Sequence, residues 1–506
     1  MDSSPQSDQH LWTGPRNRLA TPITRLWTLW ITPDVDNPDD TPSRHADPAS
    51  GPDVNPGAAA GPPLETGQQR RALDRQIFAL AWPALGALVA EPLFVLVDSA
   101  VVGRLGTPQL AGLTIASTVL VSLVAVFVFL AYATTAAVAR RLGAGDEKGA
   151  LAVGIDGIWL ALGLGVVVAA LGLALAAPII EALGASDEVA PYAVAYLRAS
   201  APGIPGMLVV FAATGALRGL QDTRTPFVVA VAGALTNAVL CVVLVYPVGL
   251  GITGSGLATA IAQLGMGAAL VVVIVRGARA RSVPLRPHPA GILANARAGM
   301  PLLVRTLTLR AAILLTVVVA ASLDDVALAA HQIVNSIWGL VVFTLDSLAI
   351  AAQALVGRGL GARDPDGVRA ITRRSLWWGT WAGAGIGAVV AAGGWLITPL
   401  FTSDPAVRHA AALALVVTGL LMPVAGWVFV LDGVLIGAGD GRYLAWAGVL
   451  TLVAYVPLAL AVRAWAPDGA AGLAWLWLAF AGGFMLARAV TTGVRARGTT
   501  WMVLGA

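Results

Sequence analysis

Twelve stretches of about 20 predominantly apolar residues recur between Ala79 and Val490, and about 20 residues is the length a helix needs to cross the hydrocarbon core of a bilayer. Their spans are 79–103, 113–139, 152–178, 191–216, 226–247, 254–275, 297–321, 328–356, 374–400, 408–435, 443–464 and 470–490. A chain that is 57% hydrophobic and 12% charged, with a mean hydropathy of +0.78, has lipid as its main solvent. The fold class this predicts is an all-α polytopic membrane protein with twelve transmembrane helices.

Basic residues give the expected orientation, because short cytoplasmic loops keep Lys and Arg while translocated ones lose them. Arg70, Arg71 and Arg75 precede the first helix, and Arg140, Arg141 and Lys148 follow the second. Arg276, Arg279, Arg281, Arg286 and Arg297 surround the loop after the sixth, Arg363, Arg369, Arg373 and Arg374 follow the eighth, and Arg488, Arg495 and Arg497 follow the twelfth. The alternate loops hold few bases and several acids, among them Asp187, Glu188, Asp324 and Asp325. Both termini are therefore expected in the cytoplasm of a cell whose inner membrane the chain spans. The pI near 9.6 follows from this loop bias and gives no reason to expect a nucleic-acid partner.

Residues 1–72 are rich in Pro, Asp, Gly and Ala and read as a disordered cytoplasmic tail, without a cleavable signal sequence. Trp12, Trp27 and Trp30 stand among Arg16, Arg18 and Arg25 in that tail, a composition that can lie on a membrane surface. Residues 491–506 form a second cytoplasmic tail. The single cysteine, Cys241, excludes an internal disulfide and argues against a thiolate metal cluster.

An internal repeat divides the helices. Pro83 falls on Pro301, LAGLTIASTV from Leu110 on LAAHQIVNSI from Leu328, and ARRLGAGD ending at Asp146 on GRGLGARD ending at Asp364, all 218 residues apart without a gap. GALRGLQDTR from Gly215 faces GVLIGAGDGR from Gly433 at the same offset. Twelve helices are thus six plus six: an N-lobe at 73–275, a cytoplasmic linker at 276–296 and a C-lobe at 297–490. An even number of helices per copy makes the repeats parallel, related by a pseudo-two-fold axis along the membrane normal.

The stretches AWPALGALVAEPLFVLVDSAVVGRLGTPQLAGL, ALRGLQDTRTP, AAHQI and LAIAAQALVGRGLGARD resemble the multidrug and toxic compound extrusion (MATE) family, its DinF-like branch in particular, over residues 76 to about 490. The resemblance implies a two-lobe antiporter, not an enzyme, that exports organic, often cationic, compounds against an inward flux of protons or sodium. It also implies that Asp98, the acid of VDSAVVG, is the proton-coupling carboxylate. Relatives commonly carry Asn and then Asp four residues later in helix 5, where this chain has Asn237 and Cys241. The departure puts a two-carboxylate site in doubt and raises Glu91 as the second acid.

A charge at the centre of a membrane helix costs roughly 3 kcal/mol even on insertion scales, so such residues tend to face a cavity or a partner. The candidates are Glu91, Asp98, Arg198, Arg305, Arg310, His331, Asp346 and Asp432. Glu91 and Asp98 share a helix face about 10 Å apart along the axis, with Pro92 between them as a hinge. Asp346 and Asp432 have Val128 and Thr214 as repeat partners, so neither belongs to the shared scaffold. Each is either a counter-ion or second proton carrier, or is paired with Arg305 or Arg310. Asn237, Asp346, Asp432, Gln353, Trp338 and Trp427 are the expected substrate-cavity residues. His331 and Gln332 read as hydrogen-bonding packing residues, and Arg198 as paired or reaching toward the interface.

No metal site or organic cofactor is expected, and the coupling ion is expected to be a proton, with sodium as the alternative. The partners expected are small organic substrates and the bilayer, and the state a monomer. A lipid-linked substrate flippase would need a large cationic cavity, whereas the intramembrane bases counted here are few and balanced by acids. An enzyme would need a nucleophile with a base or paired metal ligands, and neither His-Glu-x-x-His nor Gly-x-Ser-x-Gly occurs.

Overall fold

The computed structural model describes residues 67–505, except for the side chain of Glu91. The tail with Trp12, Trp27 and Trp30 therefore lies outside the described residues. Among the described residues twelve helices are long and apolar enough to cross a membrane: α1 (Gly67–Val102), α2 (Thr107–Gly143), α3 (Glu147–Ala182), α4 (Ala190–Gly219), α5 (Arg224–Val245), α6 (Gly251–Ala280), α7 (Pro289–Leu323), α8 (Asp325–Gly361), α9 (Pro365–Leu400), α10 (Pro405–Gly437), α11 (Gly441–Trp465) and α12 (Ala470–Arg497). Four of them change pitch, α9 through a 3-10 turn at its end, Thr398–Leu400. A 3-10 turn occupies Val126–Val128 in α2, another occupies Ala201–Gly203 in α4, and a π-helical stretch runs over Leu478–Phe484 in α12.

Most of the helices are longer than the apolar spans, and three boundaries differ from those expected. Residues 67–72, assigned to the tail, open α1. The connection between the lobes is only 281–288 rather than 276–296, because α6 runs through Ala280 and α7 starts at Pro289. Helix α12 continues past Val490 to Arg497. Apolarity marks the lipid-immersed part of a helix, but hydrogen bonding and caps decide where it stops. His288 caps α7 by accepting from the Gly291 amide at 3.1 Å, ahead of a proline already shaped for the first turn.

The repeat appears as duplicated local structure. Asp146 caps α3 through the Gly149 amide and Asp364 caps α9 through the Gly367 amide, each at 2.8 Å and 218 residues apart. Gly215 of α4 lies against the Ala131 carbonyl of α2, and Gly433 of α10 lies against the Ala349 carbonyl of α8, again 218 apart; neither contact leaves room for a Cβ.

Between the lobes the relation is reciprocal. Gly143 of α2 packs on the carbonyl of Arg358, and Gly361 of α8 packs on the carbonyl of Arg140. Residue i meeting j while the copy of j meets the copy of i is the signature of a two-fold axis, here within one chain. We expect Gly361→Ala to destabilise the protein by about 1–3 kcal/mol through overpacking. Gly385→Ala, with no atom within 4 Å of the added methyl, should leave stability unchanged or slightly raised. Thermal unfolding of the two purified variants checks the pair.

All described hydrogen bonds between the lobes fall in the halves of the helices nearest the Arg-rich loops. Arg374 of α9 donates to both Asp74 oxygens of α1 at 2.6 and 2.7 Å, and the Trp378 indole donates to Asp74 at 2.7 Å. Phe78 meets Trp378 edge to face at 4.6 Å. Deeper in, Gln221 donates to the Ala354 carbonyl at 3.1 Å, Gln353 to the Tyr132 carbonyl at 2.8 Å, and Arg140 to the Ala438 carbonyl at 3.2 Å. The two bundles are thus joined at the Arg-rich end.

Candidate functional site

The N-lobe has one polar centre among its described residues that is built from four helices. Asp98 of α1 is only 3% exposed. Its Oδ1 accepts from the Asn237 amide of α5 at 3.2 Å, while Oδ2 accepts from the hydroxyls of Thr259 of α6 at 3.0 Å and Tyr196 of α4 at 3.2 Å. The Cys241 thiol lies against the same carboxylate. Three donors from three helices are what allow a carboxylate to remain in an apolar bundle.

These partners suit both states of the acid. Tyr and Thr hydroxyls can donate to a carboxylate or accept from a carboxylic acid by rotating. The Asn237 side-chain oxygen is buried and has no hydrogen-bond partner, so an amide flip would present it as an acceptor. Asn237, expected in the substrate cavity, is therefore a direct partner of Asp98. Cys241 occupies the place beside Asp98, one turn after Asn237. Pro92 lies within α1, six residues before Asp98, and α1 continues through it. The Glu91 side chain lies outside the described residues.

The C-lobe copy of this centre has lost its charge. At the 218 offset, Asp98, Asn237 and Thr259 become Thr316, Tyr455 and Trp477, and the Asp98–Asn237 hydrogen bond becomes a Thr316–Tyr455 bond at 2.7 Å. Trp338 packs on Trp477 at 5.9 Å and on Phe480 at 5.6 Å between ring centroids. It is a buried member of this aromatic core rather than a lining residue of the C-lobe cavity described next. Trp427 likewise fills the space beside Gly493, between α10 and α12. His331 is buried and packs on Trp477 at 5.5 Å, but neither ring nitrogen has a hydrogen-bond partner, contrary to the bonded role expected of it. Gln332 is exposed.

The charged residues of the C-lobe gather elsewhere. Asp432 of α10 is clasped by Arg305 of α7, Nη2 to Oδ2 at 2.6 Å, and by Arg488 of α12 on the same oxygen. All three side chains are at most 11% exposed. Arg488, read from the sequence as a loop base after helix 12, is inside that helix and over the Phe429 ring at 5.5 Å. A cavity of about 20 Å³ adjoins the clasp, lined by Tyr132, Arg305, Asp346, Gln353, Phe429 and Asp432. Asp346 of α8 faces it without accepting a hydrogen bond from a described residue, within electrostatic reach of Arg305 and Arg218. Arg198 and Arg310 are exposed and belong to neither cluster.

The sequence therefore singled out Asp98, Asn237, Arg305, Asp346, Asp432 and Gln353 where chemistry is concentrated, and of the alternatives it left open for Asp432 the structure contains the pairing with Arg305. It missed Tyr196, Thr259, Arg218 and Arg488. A Tyr or Thr in an apolar helix carries no signal by itself, and the two arginines stood close enough to helix ends to pass for loop bases.

The comparisons agree with this architecture. The MatE family profile matches twice, at residues 83–243 and 301–461, so the two matches are themselves 218 residues apart. Protein DETOXIFICATION 44, chloroplastic, of Arabidopsis thaliana is 30% identical, over 75% of this chain and 74% of that protein. DNA damage-inducible protein F of Escherichia coli is 27% identical over 72% and 81%. A probable multidrug resistance protein NorM of Acinetobacter baylyi is 27% identical over 82% and 93%. The structure of a MOP superfamily transporter from Pyrococcus furiosus superimposes with a TM-score of 0.76 at 21% identity, covering 86% of this chain and 98% of that one. With two profile matches across two lobes of six helices, the chain belongs to the MatE family of multidrug efflux transporters.

Proposed function

We propose that the protein exports organic compounds bearing a positive charge in exchange for protons, and that Asp98 is the group the proton occupies. The observation that carries this reading is the set of partners around Asp98: hydroxyls that reverse and an amide with a free oxygen can serve the charged and the neutral acid alike.

In the cycle, the Arg-rich loops face the cytoplasm, so the arrangement joined at that end is open outward. A proton reaching Asp98 removes its charge, loosens its hold on Asn237 and lets α1 bend about Pro92, and the substrate leaves. Loss of the proton on the inward side restores the charge that favours a cationic substrate. The lobes rock about the reciprocal glycine contacts, and the Asp74–Arg374 clasp opens.

The test is dye efflux from everted membrane vesicles with proton and sodium gradients imposed separately. A proton gradient alone should drive export of rhodamine 6G and a sodium gradient alone should not. Export driven by sodium at zero pH gradient would replace the proton reading.

A further inference from the structure

The segment that follows α12 crosses from one lobe to the other. The chain turns back there, with the Met502 amide donating to the Thr499 carbonyl at 2.9 Å and Arg495 donating to the Thr500 hydroxyl at 2.8 Å. Arg495 is itself paired with Asp440 at 2.6 Å, which fixes the turn to the C-lobe. Trp501 is 3% exposed and joins an apolar core whose residues come from both lobes. At its far end the segment is held by the Gly505 amide, which donates to the Leu360 carbonyl of α8 at 3.0 Å. Between these two anchors the Val503 carbonyl accepts from Arg140 of α2, in the N-lobe. The same guanidinium donates to the Ala438 carbonyl, so one N-lobe side chain grips two C-lobe carbonyls.

The crossing is not shared by the two copies of the repeat. At the 218 offset residues 499–505 correspond to 281–287, in the connection between the lobes. There the Leu285 carbonyl, at the position of Val503, accepts from the Trp159 indole at 3.0 Å, and Arg281 pairs with Glu147 at 2.7 Å. Trp159 and Glu147 are both on α3, so the first copy is fastened within its own lobe. Arg358, the copy of Arg140, is exposed.

We infer that residues 498–505 form a latch across the Arg-rich end, seated in the C-lobe by Trp501 and Gly505 and tied to the N-lobe through Val503 and Arg140. The tie exists only while the lobes are joined there, so it favours that arrangement and must release before the lobes part. The inference rests on the rocking of the lobes proposed above and not on which ion drives it.

The test measures the separation of the lobes directly. Spin labels are placed on Lys148→Cys and Asp366→Cys, exposed positions 218 residues apart at the Arg-rich ends of α3 and α9, while the fully buried Cys241 stays in place. Pulsed electron double resonance on the purified full chain then gives the ratio of separated to joined lobes. That ratio should rise about tenfold or more in Arg140→Gln, which loses the charge-assisted bond to Val503. It should rise similarly in Trp501→Ala, and most of the latch should survive in Trp501→Phe. Gly505→Pro unseats the segment without touching the core, because proline lacks the amide donor and cannot adopt the positive φ of 96° found there. It too should raise the ratio, and it serves if Trp501→Ala does not fold. Arg358→Gln, the same change at the repeat position, should leave the ratio as in the wild type.

A ratio unchanged in Arg140→Gln overturns the latch. So does a rise in Arg140→Gln with none in Trp501→Ala or Gly505→Pro, which would place the tie at Ala438, and so does an equal rise in Arg358→Gln. One unchanging distance in every protein overturns the rocking of the lobes and the latch with it.

Discussion

Asp432→Asn should lower the stability of the protein by about 3–5 kcal/mol, the cost of removing one partner from a buried ion pair. The reason is the pairing of one carboxylate oxygen with both Arg305 and Arg488, each nearly excluded from solvent. Removing the charge strands two guanidiniums in a helix bundle, where neither can reach water. Arg488→Met should cost less, since Arg305 still pairs Asp432. Combining the two changes should be milder than their sum, because fewer guanidiniums are then left bare. Fluorescence-detected gel filtration after graded heating measures all three proteins. Equal stability of Asp432→Asn and wild type would show that the clasp contributes nothing.

The second large effect is on transport. Asp98→Asn should reduce proton-driven dye export to the level of vesicles without the protein, while expression and thermal stability stay near wild type. An asparagine keeps the shape of the side chain and can still accept from Thr259 and Tyr196 through its remaining oxygen. What it cannot do is alternate between charge and neutrality. Cys241→Ser is the informative companion: it keeps a small polar group beside Asp98 and should retain export, whereas loss of export there would move the coupling role onto the cysteine.

Much of this architecture is legible in the sequence because lipid imposes a simple rule. Twelve apolar spans gave twelve helices, and the offset that aligned Pro83 with Pro301 is the offset at which Gly215 and Gly433 make equivalent contacts. The boundaries were less legible. Arg276 and Arg279 read as loop residues, yet they lie on α6, which outruns its apolar span.

The same ambiguity hid Arg488 and Arg218. A basic residue within a few turns of a helix end reads alike whether it snorkels outward or turns inward to a carboxylate. Only the fold distinguishes the two, by bringing α4, α7, α8, α10 and α12 to one point around Asp346 and Asp432.

Trp338 and Trp427 show a related ambiguity. An aromatic residue on a membrane helix offers the same composition to a ligand as to a neighbouring ring, and here Trp477 and Phe480 occupy the near side of Trp338. The Asp98 centre was half legible: the acid and Asn237 stood out as polar groups in apolar helices, and Tyr196 and Thr259 did not. Those two hydroxyls matter most to the account, because they let one carboxyl group be held in either protonation state.

That account is tested most directly by proton release from the purified protein. Rhodamine 6G is added to the transporter in weakly buffered detergent solution at a pH where Asp98 is partly protonated, and the protons liberated are counted with a pH indicator. Competition between dye and proton predicts a saturable release that approaches, at each pH, the fraction of Asp98 protonated before dye is added, and none in Asp98→Asn. Dye binding that releases no proton from the wild type, or the same number from Asp98→Asn, would contradict the assignment of the coupling step to this carboxylate.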